Sequence, residues 1–511
     1  MITIGGKDIK AIVIDGDTKE VVRITDTLTG DILWEKVYPV IDYFYIENTY
    51  NGTNTVTLTT TRSGSPTPGY YADSVEWSKD KVTWTTASFD PSTPLDITLD
   101  RDEKVYFRND TGYWNFGGYF SPYYRTSFSA SQSHVVGGNI ISLLDYNNIE
   151  TTALLSQTFY RLFYNDTTLM SAGDLTLSVS DLSLYGGMNQ FEEMFSGCTS
   201  LNTAPTMPAT TMGYSSYRYM YYNCQCLTTP PQLPATTLAP YCYDSMFYNS
   251  GLTTPPALPA TTLADGCYFQ LFRDCTSLAS APQLPATTMA REAYSNMFSG
   301  CSSLTTPPQL PATTLAKRCY VSMFYKSGLT TPPQLPATTL ADGCYSSLFA
   351  QCRNLTSVPQ LPATTMAEGC YSSMFYYTGI TTPPQLPATT LAKSCYSGMF
   401  MGCRLTSWPQ LPATTLAEGC YKSMFESNFQ MRTAPELPAT TLVKDCYNGM
   451  FRYSNRLTSV TVYADDNSAT DCTANWLQGV AASGTIHNLG SATYTADSAS
   501  GIPTGWTEVN N

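Results

Sequence analysis

The sequence predicts a mainly solenoid fold: an N-terminal β-sandwich-like domain, then a long array of repeats with short strands and short helices, capped at the C-terminus. Three observations predict it. The string LPATT begins at Leu233, Leu258, Leu284, Leu310, Leu335, Leu361, Leu386, Leu411 and Leu437, with the variant MPATT at Met207. Successive LPATT copies lie 25 or 26 residues apart, a period that belongs to stacked repeat architectures. Upstream of them, TVTLTTTRSGS, VEWSKDKVTW, LDITLD and KVYFRND alternate in strand fashion around turns.

Taken in order, residues 1–38 carry the short β-rich runs KAIVIDG, EVVRITD and DILWEK, and read as a starter or attachment module. The DGD at Asp15–Asp17 is a hairpin turn on this reading, in preference to a calcium site. This segment resembles the starter segment of Bacteroides phage and prophage tail-associated proteins. Residues 39–135 form the β-sandwich-like domain. The tail of that domain, TGYWNFGGYFSPYY, concentrates Tyr113, Trp114, Tyr119, Tyr123 and Tyr124 beside paired glycines. Aromatics on a Gly-rich loop suit a carbohydrate-stacking or docking surface; packing within the β-domain is the structural alternative. Residues 136–190 are degenerate capping repeats, with Phe163 as a weak copy of the aromatic anchor.

Residues 191–460 hold the repeats. Each carries an aromatic anchor: Phe247, Phe272, Phe298, Phe324, Phe349, Phe375, Phe400 and Phe425 stand in register. Within LAxxCYxxMF, Leu263, Cys267 and Leu271 fall at i, i+4 and i+8, an apolar face for about two helical turns. The preceding LTTPPQLP has paired prolines, which allow only a two- or three-residue strand. PATT then offers a threonine N-cap, making LPATTLA the corner from strand to helix. A cell-wall sorting signal is used once and near the C-terminus, so the internal copies of this string are structural. At residues 461–511, with Cys472, Trp476 and GIPTGW, the pattern ends in a cap.

The order "aromatic, x, x, Cys, x, x, Leu, Thr, short extended piece, Pro, helix" resembles the leucine-rich repeats of the BspA-like kind. Phe298, Cys301, Leu304, Leu310 and Leu315 carry the match, which covers about 190–460. The closing segment is similar as well. Such repeats occur in surface proteins of gut Bacteroidetes and in their phages and prophages. The resemblance implies a bacteriophage virion protein, a tail-fibre or receptor-binding component. It would touch other virion proteins or a host surface glycan or protein. The alternative is a bacterial cell-surface or secreted adhesin.

Composition bounds the chemistry. The formal charge of −13 argues against a nucleic-acid partner. Charged residues make up 13%, roughly half the usual globular share. No apolar run is long enough to span a bilayer, and the N-terminus lacks the pattern of a secretory signal peptide. Fourteen of the sixteen cysteines recur beside Tyr or in the turn after the anchor, and Ala293 replaces one without loss elsewhere. Stacked, reduced core thiols fit that pattern better than disulfides or metal. His134 and His487 are the only histidines, too few for a histidine-based catalytic or metal centre. Carboxylate pairs are the remaining acid/base candidates, at Asp100, Asp102 and Glu103 or at Glu192 and Glu193. Solvated surface is their commoner role, and the reading is non-enzymatic, without cofactor or metal. A homo-oligomer is compatible with it.

Overall fold

A computed structural model describes residues 2–4, 7–16, 19–26, 32–39, 42–62, 73–90, 92–109, 124–145, 154, 156–184, 187–496 and 501–510. Its elements in chain order are β1 (Ile2–Ile4), β2 (Lys7–Gly16), β3 (Lys19–Asp26), β4 (Ile32–Pro39), β5 (Phe44–Asn48), β6 (Asn54–Arg62), β7 (Asp73–Ser78) and β8 (Thr85–Phe89). There follow β9 (Leu95–Leu99), β10 (Lys104–Arg108), β11 (Tyr124–Ala130), β12 (His134–Asn139), α1 (Ser142–Asp145), β13 (Leu169–Thr176), β14 (Ser459–Val462), β15 (Gly484–Asn488) and β16 (Trp506–Asn510).

The first four strands form an antiparallel sheet in sequence order. Asp15 pairs with Glu20 and Gly16 with Lys19 at the end of the β2–β3 hairpin, and Asp17 lies outside the described residues. Two further sheets follow, ordered β13-β12-β5-β10-β7-β8 and β11-β6-β9. Alternate residues of their strands are buried: Phe44 and Ile46, Val56 and Leu58, Ile97 and Leu99, Val105 and Phe107. That period-two burial is what the alternating sequence runs require. Strand β13 lies beyond residue 135 yet pairs in parallel with β12, so the sheet continues into the degenerate units. His134, at the start of β12, is fully buried with its Nε2 3.2 Å from Asp166.

The repeats correct the predicted solenoid. Among the described residues the one α-helix is the four-residue α1, which lies outside the array. The sheets are open, and among the described residues no strand falls between β13 and β14. A leucine-rich-repeat solenoid of short strands and short helices is therefore not what this chain forms. The BspA-like identification falls with it, so the bacteriophage and tail-fibre setting no longer has that resemblance behind it.

The reason lies in the true period of the CYxxMF segment. Burial comes in pairs, Cys319 with Tyr320 and Met323 with Phe324, followed by Ser327, so the repeat is four residues and not 3.6. Every fourth residue is left-handed: Tyr241 at φ 55°, Ser245 at 54° and Asn249 at 52°. One left-handed residue in four breaks the i to i−4 ladder of a helix. The segment is instead a run of β-turns. Cys242, Asp244, Met246 and Tyr248 donate to carbonyls three residues back, at 3.1–3.3 Å. The intervening amides donate to the following unit, Tyr241 to Asp265, Tyr243 to Cys267, Ser245 to Phe269, Phe247 to Leu271 and Asn249 to Arg273, at 2.8–3.1 Å. Each amide thus finds a partner without helix or strand.

LPATTLA has a different role from the predicted corner. Leu258 and Ala260 are buried and Pro259 is exposed, which is an extended in-and-out alternation. Pro255, Pro256 and Pro259 have no N–H to give a ladder, so the arm forms no named strand. Thr261 and Thr262 face solvent and cap no helix. In several units the second threonine makes a single parallel bridge to its equivalent, as Thr288 does with Thr314 and Thr314 with Thr339.

Two files of rings run through the array. Phe247, Phe272, Phe298, Phe324, Phe349, Phe375, Phe400 and Phe425 are fully buried, with successive centroids 5.6–5.9 Å apart and planes within 18°. Beside them runs a tyrosine file from Tyr243 to Tyr447. The phenylalanine file continues upstream through Tyr221, Phe195 and Phe163 to Phe128 of β11 and Phe44 of β5. One apolar core is therefore continuous from the sheets into the repeats. At the far end β14, β15 and β16 form a parallel sheet, and the buried Trp476 donates from Nε1 to Gly501 O at 3.0 Å.

Candidate ligand-binding groove

The turn runs place one residue of each unit directly above its equivalent in the next. Asn165 N donates to Ser196 O, Gly197 N to Tyr222 O, Asn223 N to Tyr248 O and Asn249 N to Arg273 O. Tyr164, Ser196, Tyr222, Tyr248 and Arg273 therefore form one file on the turn face. A second file, fixed in the same way, contains Glu193, Tyr219, Ser245 and Gln270. Side chains from both files line an open groove of about 390 Å³.

Four tyrosines dominate its wall, Tyr164, Tyr219, Tyr222 and Tyr248. The Tyr222 and Tyr248 rings stack with centroids 4.9 Å apart, and Tyr219 meets Tyr222 edge-on at 5.8 Å. Tyr219 is left-handed at φ 54°, a costly conformation for a bulky side chain. Later units put Ser322, Ser347, Ser373, Gly398 and Ser423 in that file. Glu193, Tyr219 and Gln270 are thus not demanded by the stack, and the neighbouring file has tyrosine again only at Tyr325 and Tyr376.

Arginines brace the groove. Arg161 holds Glu193 in a two-nitrogen ion pair, with Nη2 2.9 Å from Oε1, and its guanidinium lies 4.3 Å over the Tyr164 ring. Arg218 lies 4.7 Å over Tyr219 and bonds Asp244 at 2.8 Å and Glu192 at 3.4 Å. Burial pushes the Glu192 carboxyl up to about 7 despite the Arg218 charge beside it, and burial also raises Asp244. Arg273 covers the Tyr248 ring at 5.4 Å, and its Nε is 3.6 Å from Asp274. The arrangement offers phenol rings, an amide from Gln270 and ionic groups already paired with one another. Such a surface favours recognition through stacking and hydrogen bonds.

The residues singled out from sequence lie elsewhere. Tyr113, Trp114, Tyr119 and Tyr123 fall outside the described residues, and Tyr124 opens β11, paired with Arg62. Asp100, Asp102 and Glu103 form an exposed turn in which Glu103 accepts from Asp100 N and pairs with Lys79 at 2.9 Å. Glu193 lines the groove and its neighbour Glu192 is buried, each engaged by a different arginine. The groove tyrosines were not singled out, because they are spread over several units and converge only when the units are laid in register.

The cysteines are all free thiols, buried except for Cys226. Burial pushes Cys267 up to about 12 and Cys275 to about 11, far from reactive thiolate character. Several thiols in the turn after the anchor donate to the anchor carbonyl of a neighbouring unit, as Cys275 does to Phe247 O at 2.9 Å. Ser250, Ser327, Thr378 and Asn428 occupy the same place in the units that lack the cysteine. Among the described residues no cluster of three metal-ligating side chains is present, and no helix is long and apolar enough to cross a membrane. No protein-family model, curated protein or solved structure matches the chain.

Proposed function

We propose that the chain is a non-enzymatic recognition protein, displayed on a virion or a bacterial surface, that contacts a surface glycan or protein through the turn face of its first repeats. The observation that carries this reading is the confinement of Tyr164, Glu193, Tyr219, Tyr222 and Tyr248 to one groove. The Tyr219 file holds serine or glycine in many later units, and the Tyr222 file has tyrosine again only at the isolated Tyr325 and Tyr376. A stack needs no such residues for its own stability, and amphipathic rings held by neighbouring arginines are suited to meeting a partner. The pairing of Glu192 with Arg218 and of Glu193 with Arg161 supports binding over acid/base turnover.

The test is direct binding. Fluorescently labelled full-length chain is applied to a panel of bacterial cells and purified surface polysaccharides, beside a Tyr222→Ala/Tyr248→Ala variant. Saturable binding by the parent and its loss in the variant are expected. Absence of binding across the panel, or release of soluble products on long incubation with the polysaccharides, would overturn the reading.

A further inference from the structure

The file that crosses the groove has a missing rung. Tyr164, Tyr222 and Tyr248 present rings in their units, but the unit between Tyr164 and Tyr222 has Ser196. In the buried file alongside, Phe163, Phe195 and Tyr221 stack at 5.3 and 5.6 Å with planes within 7°. Neighbouring rungs are therefore one ring spacing apart, and Ser196 leaves a slot of two spacings between Tyr164 and Tyr222. Ser196 forms the slot's buried floor, with Glu193 beside it. The slot opens to solvent past Tyr164 and Tyr222, which are 39% and 36% exposed.

We propose that this slot is a carbohydrate subsite that takes one pyranose ring of a neutral oligosaccharide as the missing rung. The proposal rests on the recognition reading above and names its ligand class. A pyranose has apolar C–H faces that suit the phenol rings on either side, and equatorial hydroxyls around its edge. Glu193, Gln270 and Arg273 supply carboxylate, amide and guanidinium groups along the groove for such hydroxyls. Its ionic groups are already compensated, Glu193 by Arg161 and Arg273 beside Asp274, so no unpaired charge calls for an anionic or cationic ligand. A formal charge of −13 on the chain further disfavours an acidic one. The chain of sugars leaves the slot over Tyr219 and Tyr248, along the direction in which the units stack.

The fold itself supplies a clean test. Tyrosine already stands at the equivalent position in Tyr222, Tyr248, Tyr325 and Tyr376, so Ser196→Tyr fills the slot with a side chain that the stack accepts. Ser299→Tyr makes the same change outside the groove. The probes are immobilised linear oligomers of glucose, galactose, mannose, xylose and N-acetylglucosamine, with the full chain as analyte and thermal midpoints as the folding check. Binding to at least one oligomer is expected, weakened at least ten-fold by Ser196→Tyr and by Tyr222→Ala, and unchanged by Ser299→Tyr. Binding that survives Ser196→Tyr overturns the subsite. Failure of every neutral oligomer overturns the sugar class, and cell binding that persists in the parent but is lost in Ser196→Tyr then assigns the slot to a different partner, such as an aromatic side chain of a protein. A chain that binds neither sugars nor cells overturns both readings together.

Discussion

Replacing Phe324 by alanine removes one ring from the middle of the stack. The ring is fully buried and lies 5.8 Å from Phe298 and 5.9 Å from Phe349, parallel to both within 5°. Truncation of a buried phenylalanine costs about 3–5 kcal/mol. Each ring pair adds roughly 0.5–1.5 kcal/mol beyond burial. A loss of about 4 kcal/mol is expected for Phe324→Ala. Phe324→Leu keeps most of the apolar volume and forfeits the ring pairs, for a loss of about 1.5 kcal/mol. Tyr325→Ala, on the half-buried turn face next door, should cost under about 1 kcal/mol. Because repeats couple mainly to their neighbours, the loss is local. Hydrogen exchange at the Phe298 and Phe324 amides, which donate to Met323 and Leu348, is the appropriate assay, with urea titration of the full chain alongside. If Phe324→Ala protected these amides as well as Tyr325→Ala does, the ring file would not be what holds the units together. Equal losses for Phe324→Leu and Phe324→Ala would leave burial as the source and remove ring geometry from the account.

Other consequences can be checked separately. The Glu192 carboxyl is raised by burial to about 7 from an ordinary value near 4.5, so the folded state binds its proton more tightly than the unfolded chain. Stability contributed by that proton is complete below the ordinary value and is lost as pH rises to about 7, by about 3 kcal/mol; pH-dependent urea midpoints should show this slope, and Glu192→Gln should flatten it. Titration of the native chain with a thiol reagent should modify one of the sixteen cysteines quickly, the exposed Cys226, with the rest reacting only on unfolding. Rapid modification of several thiols in the native state would contradict the buried files. Ser347 is left-handed at φ 54°, and Gly398 and Gly449 occupy the same file in other units. Ser347→Gly should therefore be neutral or stabilising by up to about 1 kcal/mol, and Ser346→Gly destabilising by about 0.5–1 kcal/mol, as read by thermal denaturation.

The stacking period, the aromatic anchors and the alternating strands of the N-terminal sheets are written in single letters, because burial selects apolar side chains at fixed spacings. The backbone conformation between anchors is less openly encoded. Across Leu263, Cys267 and Leu271, a four-residue turn period and a 3.6-residue helical one select nearly the same positions. The discriminating letters are those at the left-handed positions, Gly266, Gln270 and Asp274 in one unit and Glu292, Asn296 and Gly300 in the next. Their frequent Gly, Asn, Asp and Ser is a turn signature, diluted by the Glu, Gln, Arg and Tyr that also occupy these files. The groove was harder still to read, since Tyr164 and Tyr248 are more than eighty residues apart and meet only through the register of the stack.

The turn runs also give the array an electrical direction. In the run from Tyr241 to Asn249, five amides donate toward the following unit, whereas Gly251 and Thr253 on the other side donate back to Cys224 and Thr228. The forward bonds outnumber the reverse ones, so their dipoles do not cancel as they do in an ordinary sheet. They add along the axis, as peptide dipoles add in a helix. Partial negative charge therefore lies toward the N-terminal units, where Leu162 O accepts from Phe128 N of β11, and partial positive charge toward the cap. Arg161 stands in the unit at that end, where the polarity of the backbone favours a cation beside the groove wall.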